Sequence, residues 1–191
     1  MISGIILAGG ESRRMGGQDK GLLPFAGTPL IQHVIQRIAP QVDELLISAN
    51  RNLARYATYG YPVIEDDGNG FLGPLAGMLA GLKAAHGEWV LTVPCDTPFL
   101  PANLVERLQQ AADDVDIVVA SAGRIHATTM LCRRRLADNL ANALADGERK
   151  VQNWQAGQRR AVVEFDDEAA FANLNTPQQL TGANFDERQS D

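Results

Sequence analysis

Sulfur and imidazole are scarce in this sequence, which holds two cysteines, Cys95 and Cys132, and three histidines. Neither cysteine sits in a paired spacing, so a disulfide framework and a thiolate zinc site are both excluded from the expected architecture. Free thiols stay reduced in the cytoplasm, and that is the expected compartment. Long apolar runs are missing too. Met1 to Gly10 (MISGIILAGG) has no basic start and too short an apolar core for a signal peptide, and no segment approaches a membrane span. Excess positive charge is the third absence. At a formal net charge of −6, neither nucleic acid nor an anionic membrane is an expected partner, because both need a basic field. Repeats, linkers and low-complexity segments are not visible.

What is present suits one domain. The 191 residues are enough for a single sizeable core, and a chain of this length buries roughly 70% of its unfolded surface. Strand-length apolar runs alternate with helix-period stretches. The expected strands are Ser3–Ala8, Glu44–Ala49, Pro62–Glu65, Trp89–Val93, Asp116–Ser121, Thr128–Cys132 and Ala161–Phe165. The expected helices are Pro29–Ala39, with Leu30, Val34, Ile35 and Ile38 on one face, then Leu53–Tyr59, Pro74–Ala85, Pro101–Ala112 and Leu136–Ala145. A last helix is expected to open at Thr176-Pro177, and the tail from Asn184 to Asp191 to fray. Strands separated by helices imply an α/β fold. The expected form is a Rossmann-like, doubly wound, mostly parallel sheet sandwiched by helices in one domain over residues 1–191. Ligands of such sheets sit beyond the carboxyl ends of the strands, so the residues just after each strand are the candidates.

The first of these positions carries LAGGESRRMGGQDK, Leu7 to Lys20. A dinucleotide fingerprint, G-x-G-x-x-G, is absent. So is a P-loop, because Gly17 and Gln18 follow Gly16 where Lys and Ser/Thr are required. Gly9 and Gly10 lack Cβ atoms, so their backbone N–H groups can approach a ligand and form an anion nest. Arg13, Arg14 and Lys20 supply local positive charge within an acidic chain. Arginine forks onto phosphate oxygens, while lysine acts as a point charge. The alternative is a tight glycine turn with solvated arginines.

The pattern L-A-G-G-x-x-x-R-M-G-x-x-K resembles the signature of the short nucleotidyltransferase family, most closely its molybdenum cofactor guanylyltransferases. The resemblance runs through Gln179-Leu180. It implies that Leu7, Ala8 and Gly9 hold a base through their backbone, that Gly10 belongs to the same nucleotide loop, and that Lys20 contacts phosphate. The cytidylyl relatives carry alanine where Gly9 stands, which by resemblance favours GTP over CTP.

Asp96 ends the run WVLTVPC. A carboxylate there is placed to hold Mg²⁺, which prefers one or two carboxylates plus phosphates and water. The alternative is a cap for the Pro101 helix. The resemblance assigns the metal to Asp96 and a base-binding role to Asp66. Ser48 stands where the family has asparagine, which leaves the side-chain contact to the base open. Asn50 either replaces it or caps the next helix. Gly73 lies at a helix start and, with Gly77 and Gly81, on one helical face. The resemblance sets Asn173 and Asn175 beside the metal and the acceptor, with turn chemistry as the alternative. His126 matches a histidine of the acceptor region or is structural. Ser12, His33 and Cys95 form no nucleophile set.

The expected activity is transfer of GMP from GTP to the phosphate of molybdenum-molybdopterin, with Mg²⁺ as cofactor and Arg14, Lys20 and Asp96 as catalytic residues. A cytidylyltransferase and a non-catalytic nucleotide-binding delivery protein are the rival readings. By resemblance, cofactor-synthesis and molybdenum-insertion proteins are transient partners.

Overall fold

Apolar side chains occupy both faces of the central strands, and that dictates layers of helix on either side of a sheet. The computed structural model describes residues 1–8, 19–66 and 73–174. From the amino end come β1 (Ile2–Leu7), the hairpin β2 (Pro24–Phe25) and β3 (Thr28–Pro29), then α1 (Leu30–Ile38). Next are β4 (Glu44–Ser48), α2 (Leu53–Ala57), β5 (Val63–Ile64), α3 (Pro74–Ala84) and β6 (Trp89–Pro94). The later part supplies α4 (Leu104–Gln110), β7 (Ile117–Ala122), β8 (Arg124–Arg133), α5 (Ala137–Ala145), α6 (Val151–Ala156) and β9 (Arg160–Glu164).

The main sheet has the order β5-β4-β1-β6-β8-β7-β9. β1 is central and pairs in parallel with β4 on one side and β6 on the other. β4 is parallel to β5, and β7 to β9, while within this sheet β8 runs antiparallel to its neighbours β6 and β7. The expected mostly parallel sheet is therefore what forms. Thr128–Cys132 proves to be part of a ten-residue strand. Its outer half, Arg124–Thr128, is partly exposed and lacks the apolar run that marks the buried half. The β2–β3 hairpin and α6 carry no sequence signal of their own, being too short for a period to show.

Alternation explains the two cores. In β1, Ile6 packs with Ile47, Leu91 and Val93 beneath α1 and α4, whereas Ile5 packs with Leu46 and Val90 beneath α3 and α5. Both isoleucines are fully buried, and each contributes about 1.5–3 kcal/mol in removed apolar surface. α1 turns the expected Val34, Ile35 and Ile38 into the first core, together with Ile31. α3 approaches the sheet closely because it presents Gly77 to Ser48; a Cβ at Gly77 would lie 2.7 Å from the Ser48 hydroxyl oxygen. Gly73 precedes this helix at φ +67°, in the left-handed region where a side chain is strained. Among the described residues, no helix is long and apolar enough to cross a membrane.

Candidate active site

Register puts the candidate residues on one edge. Leu7 is paired with Ser48 and with Pro94, and Ser48 with Ile64, so four parallel strands end in a row. The hydrogen-bond ladder continues one step further. Ala8 N donates to Ser48 O at 2.8 Å, Ala49 N to Ile64 O at 3.0 Å and Cys95 N to Leu7 O at 3.1 Å. Ala8, Asn50, Asp66 and Asp96 thus leave a rigid edge, where an α/β sheet binds its ligands.

Asp96 is the focus of this edge. It is 7% exposed, and a buried carboxylate is costly unless it is paired and hydrogen-bonded. Both needs are met: Lys20 Nζ forms an ion pair with Oδ2, and Asn173 Nδ2 donates to Oδ1 at 2.8 Å. The Asp96 carbonyl also accepts from Leu174 N at 3.0 Å. The capping alternative fails, since α4 begins at Leu104 with Asn103 at its N-cap position. Lys20, Asp96 and Asn173 are therefore brought together from three distant parts of the chain.

Lys20 opens a short 3-10 turn, Lys20–Leu22. The preceding residue, Asp19, carries an unanticipated network. Its Oδ1 accepts from the Tyr56 hydroxyl at 2.5 Å and its Oδ2 from Asn52 Nδ2 at 2.9 Å. Tyr56 is fully buried. Burial pushes its pKa far above the ordinary phenol value, with the neighbouring Cys95 and Asp19 adding to the effect. The only sequence signal for Asp19 is its place beside Lys20, and Tyr56 offers none. Burial likewise raises the Cys95 thiol well above the usual range, and its side chain belongs to the first core.

On the other side of the edge, Ser48 is 4% exposed beneath Gly77. Asn50 does not cap α2, whose N-cap position is Asn52; its Oδ1 instead accepts from Asp66 N at 3.0 Å. Asn50 thereby fixes the chain where it leaves β5 with the Asp66 carboxylate. Gly73 does stand at the start of α3. His126 is not joined to Asp96: its ring packs on Phe171 with centroids 4.9 Å apart, and Nε2 lies 3.4 Å from Ala122 O. Burial first, and Arg124 further, lower its pKa. Gly9, Gly10, Arg13, Arg14, Asn175, Thr176 and the tail from Asn184 lie outside the described residues.

Among the described residues there is no cluster of three or more metal-ligating side chains. A single deeply set carboxylate with an amide beside it suits a hard cation that takes most of its oxygens from phosphate and water, as Mg²⁺ does.

Residues 4–162 match the MobA-like NTP transferase domain. The molybdenum cofactor guanylyltransferase of Shewanella sediminis is 48% identical to the chain over 182 residues, covering 93% of each. That of Burkholderia ambifaria is 49% identical over 191 residues, covering 94% of this chain and 93% of the relative. Among solved structures, the molybdopterin-guanine dinucleotide biosynthesis protein A of Archaeoglobus fulgidus superposes with a TM-score of 0.77 at 24% identity, over 95% of both chains. It has the same fold.

Proposed function

The chain belongs to the MobA-like NTP transferase family, and from that premise we propose that it transfers GMP from GTP to the phosphate of molybdenum-molybdopterin. Pyrophosphate leaves, and the product is a molybdopterin guanine dinucleotide cofactor. The observation that carries this reading is the meeting of Lys20, Asp96 and Asn173 at the carboxyl edge of the sheet. Guanylyl rather than cytidylyl transfer is favoured by the relatives at 48% and 49% identity, which are named for it.

The acceptor phosphate oxygen attacks the α-phosphorus of GTP, and the bond from that phosphorus to the β-bridging oxygen breaks. Such an in-line displacement between anions needs positioning and charge stabilisation more than covalent help. Lys20 places its ammonium against the phosphate oxygens on which charge develops. Asp96 and Asn173 would hold Mg²⁺, which when bound supplies further neutralisation of the leaving pyrophosphate. Asp66 accepts hydrogen bonds from the guanine edge or the ribose, at a height set by Asn50. The backbone of Leu7 and Ala8 lines the base, and Ser48 closes the floor beneath it. Phosphate binding is further assigned to Arg14, Gly9 and Gly10, and acceptor binding to Asn173 and Asn175. The working compartment is the cytoplasm, with transient contacts to cofactor-synthesis and molybdenum-insertion proteins.

The test is pyrophosphate release from GTP, CTP, ATP and UTP with Mg²⁺ and molybdenum-loaded molybdopterin. Release from GTP, dependent on the acceptor, is expected. Preference for CTP would reassign the enzyme as a cytidylyltransferase, and nucleotide binding with no release would reassign it as a delivery protein.

A further inference from the structure

A lysine side chain is long and flexible, so its usefulness at a phosphate depends on how firmly its backbone is held. The residues on both sides of Lys20 meet one phenol. On the amino side, Asp19 accepts the Tyr56 hydroxyl at 2.5 Å. On the carboxyl side, Gly21 lies so close that an added Cβ would come to 2.7 Å from the same oxygen.

The engagement of Asp19 is a local anomaly. Asp19 occupies the N-cap position of the Lys20–Leu22 turn, where an aspartate ordinarily bonds the free N–H groups of its own helix. It makes no such bond. The turn closes through backbone alone, Leu22 N to Asp19 O at 3.1 Å and Leu23 N to Lys20 O at 3.2 Å. The carboxylate is committed instead to two donors from the region of α2, Tyr56 and Asn52. Asn52 holds a left-handed backbone, φ +53°, at the N-cap position of that helix. The Tyr56 ring is fixed in the same core cluster as Cys95, the neighbour of Asp96. Lys20 and Asp96 are therefore referenced to one rigid body.

We propose that Tyr56 is a positioning residue for the transfer, acting through Asp19 to set the direction from which Lys20 reaches the nucleotide phosphates. Asn52 is the second strut of the same device. This inference rests on the reading of Lys20 as a phosphate contact.

The experiment is a double-mutant cycle on GTP affinity, measured by calorimetric titration with Mg²⁺ at concentrations high enough to keep weak binders in range. Y56F removes only the hydroxyl and should weaken GTP binding about tenfold, about the worth of one hydrogen bond to a charged group. In a K20M background the same substitution should change affinity less than twofold. A purely structural tyrosine would cost the same factor in both backgrounds, and that result overturns the proposal, as does an unchanged affinity in Y56F alone. If K20M leaves GTP affinity at the wild-type value, the phosphate reading of Lys20 falls and the relay with it. Should Y56F fail to fold, N52G decides. Glycine suits the left-handed backbone there, so a loss of about threefold confined to the Lys20-containing protein supports the device. An equal loss in both backgrounds, or none, overturns it.

Discussion

The side-chain amide of Asn173 donates to one oxygen of Asp96 at 2.8 Å, while Lys20 holds the other. The carboxylate is thus oriented by an uncharged donor on one side and a cation on the other. Removing the amide frees one oxygen without uncovering an unpaired charge. N173A is accordingly expected to lower kcat about tenfold with KM for GTP changed less than threefold, at a stability loss of about 1 kcal/mol or less. N173D sets a like charge against Asp96 and should be worse. Steady-state pyrophosphate release, alongside urea unfolding, measures both. Full activity in N173A would remove Asn173 from the site.

The contact between α3 and β4 makes a prediction about stability alone. Alanine at position 77 gains helix propensity of about 1 kcal/mol over glycine. Its Cβ, however, would lie 2.7 Å from Ser48 Oγ, with Leu7 Cδ2 next at 3.4 Å. Overpacking of this kind costs about 1–3 kcal/mol, so G77A is expected to be destabilising. In G77A/S48A only ordinary contacts remain, with Leu7 Cδ2 and with the Cβ at position 48, and urea midpoints should recover to the S48A level or above it. A stabilising G77A single variant would contradict the close approach.

Asp116 gives a pH-dependent prediction away from the site. Arg159 Nε reaches its Oδ2 at 2.9 Å and Arg135 Nη2 its Oδ1 at 2.5 Å. Hydrogen bonds from Arg159 and then Arg135 outweigh a small burial effect and lower its pKa from 3.8 to about 2. A depressed carboxylate adds stability above its unfolded pKa, and that stability disappears as pH falls through the folded value. Both arginines are more than half exposed, so screening limits the contribution to about 1 kcal/mol. The stability difference between wild type and D116N should be constant above about pH 5 and shrink between about pH 4 and pH 2. A difference unchanged at pH 2 would exclude the charge as its origin.

How much of this was legible beforehand depended on whether a residue's role is local. Two-sided burial writes itself as a largely apolar run, so β1, β4 and β6 could be found from Ser3–Ala8, Glu44–Ala49 and Trp89–Val93. The direction of β8 could not, because an apolar run reads the same either way along a sheet. The reversal is made by Gly123, the lone residue between β7 and β8, at φ +62°. Lys20 and Asp96 were visible because each sits just beyond a strand or glycine loop. Asn50 was visible only as two alternatives, and its bond to Asp66 is neither of them. Tyr56 was invisible: its hydroxyl meets Asp19 across 37 positions, and nothing near Tyr56 in sequence announces that partner.

Asn173 also fixes when the centre comes into being. Lys20 precedes Asp96 by 76 positions, and Asn173 follows it by 77. A ribosome releases the chain from its amino end, and a domain folds as a unit. The nucleotide-side lysine is thus delivered early, the carboxylate midway, and the amide that orients it only after β9 has been synthesised. The centre therefore cannot be complete before the last of its three members has left the ribosome. Chain order alone withholds the Asp96–Asn173 bond until nearly all of the described chain has been made.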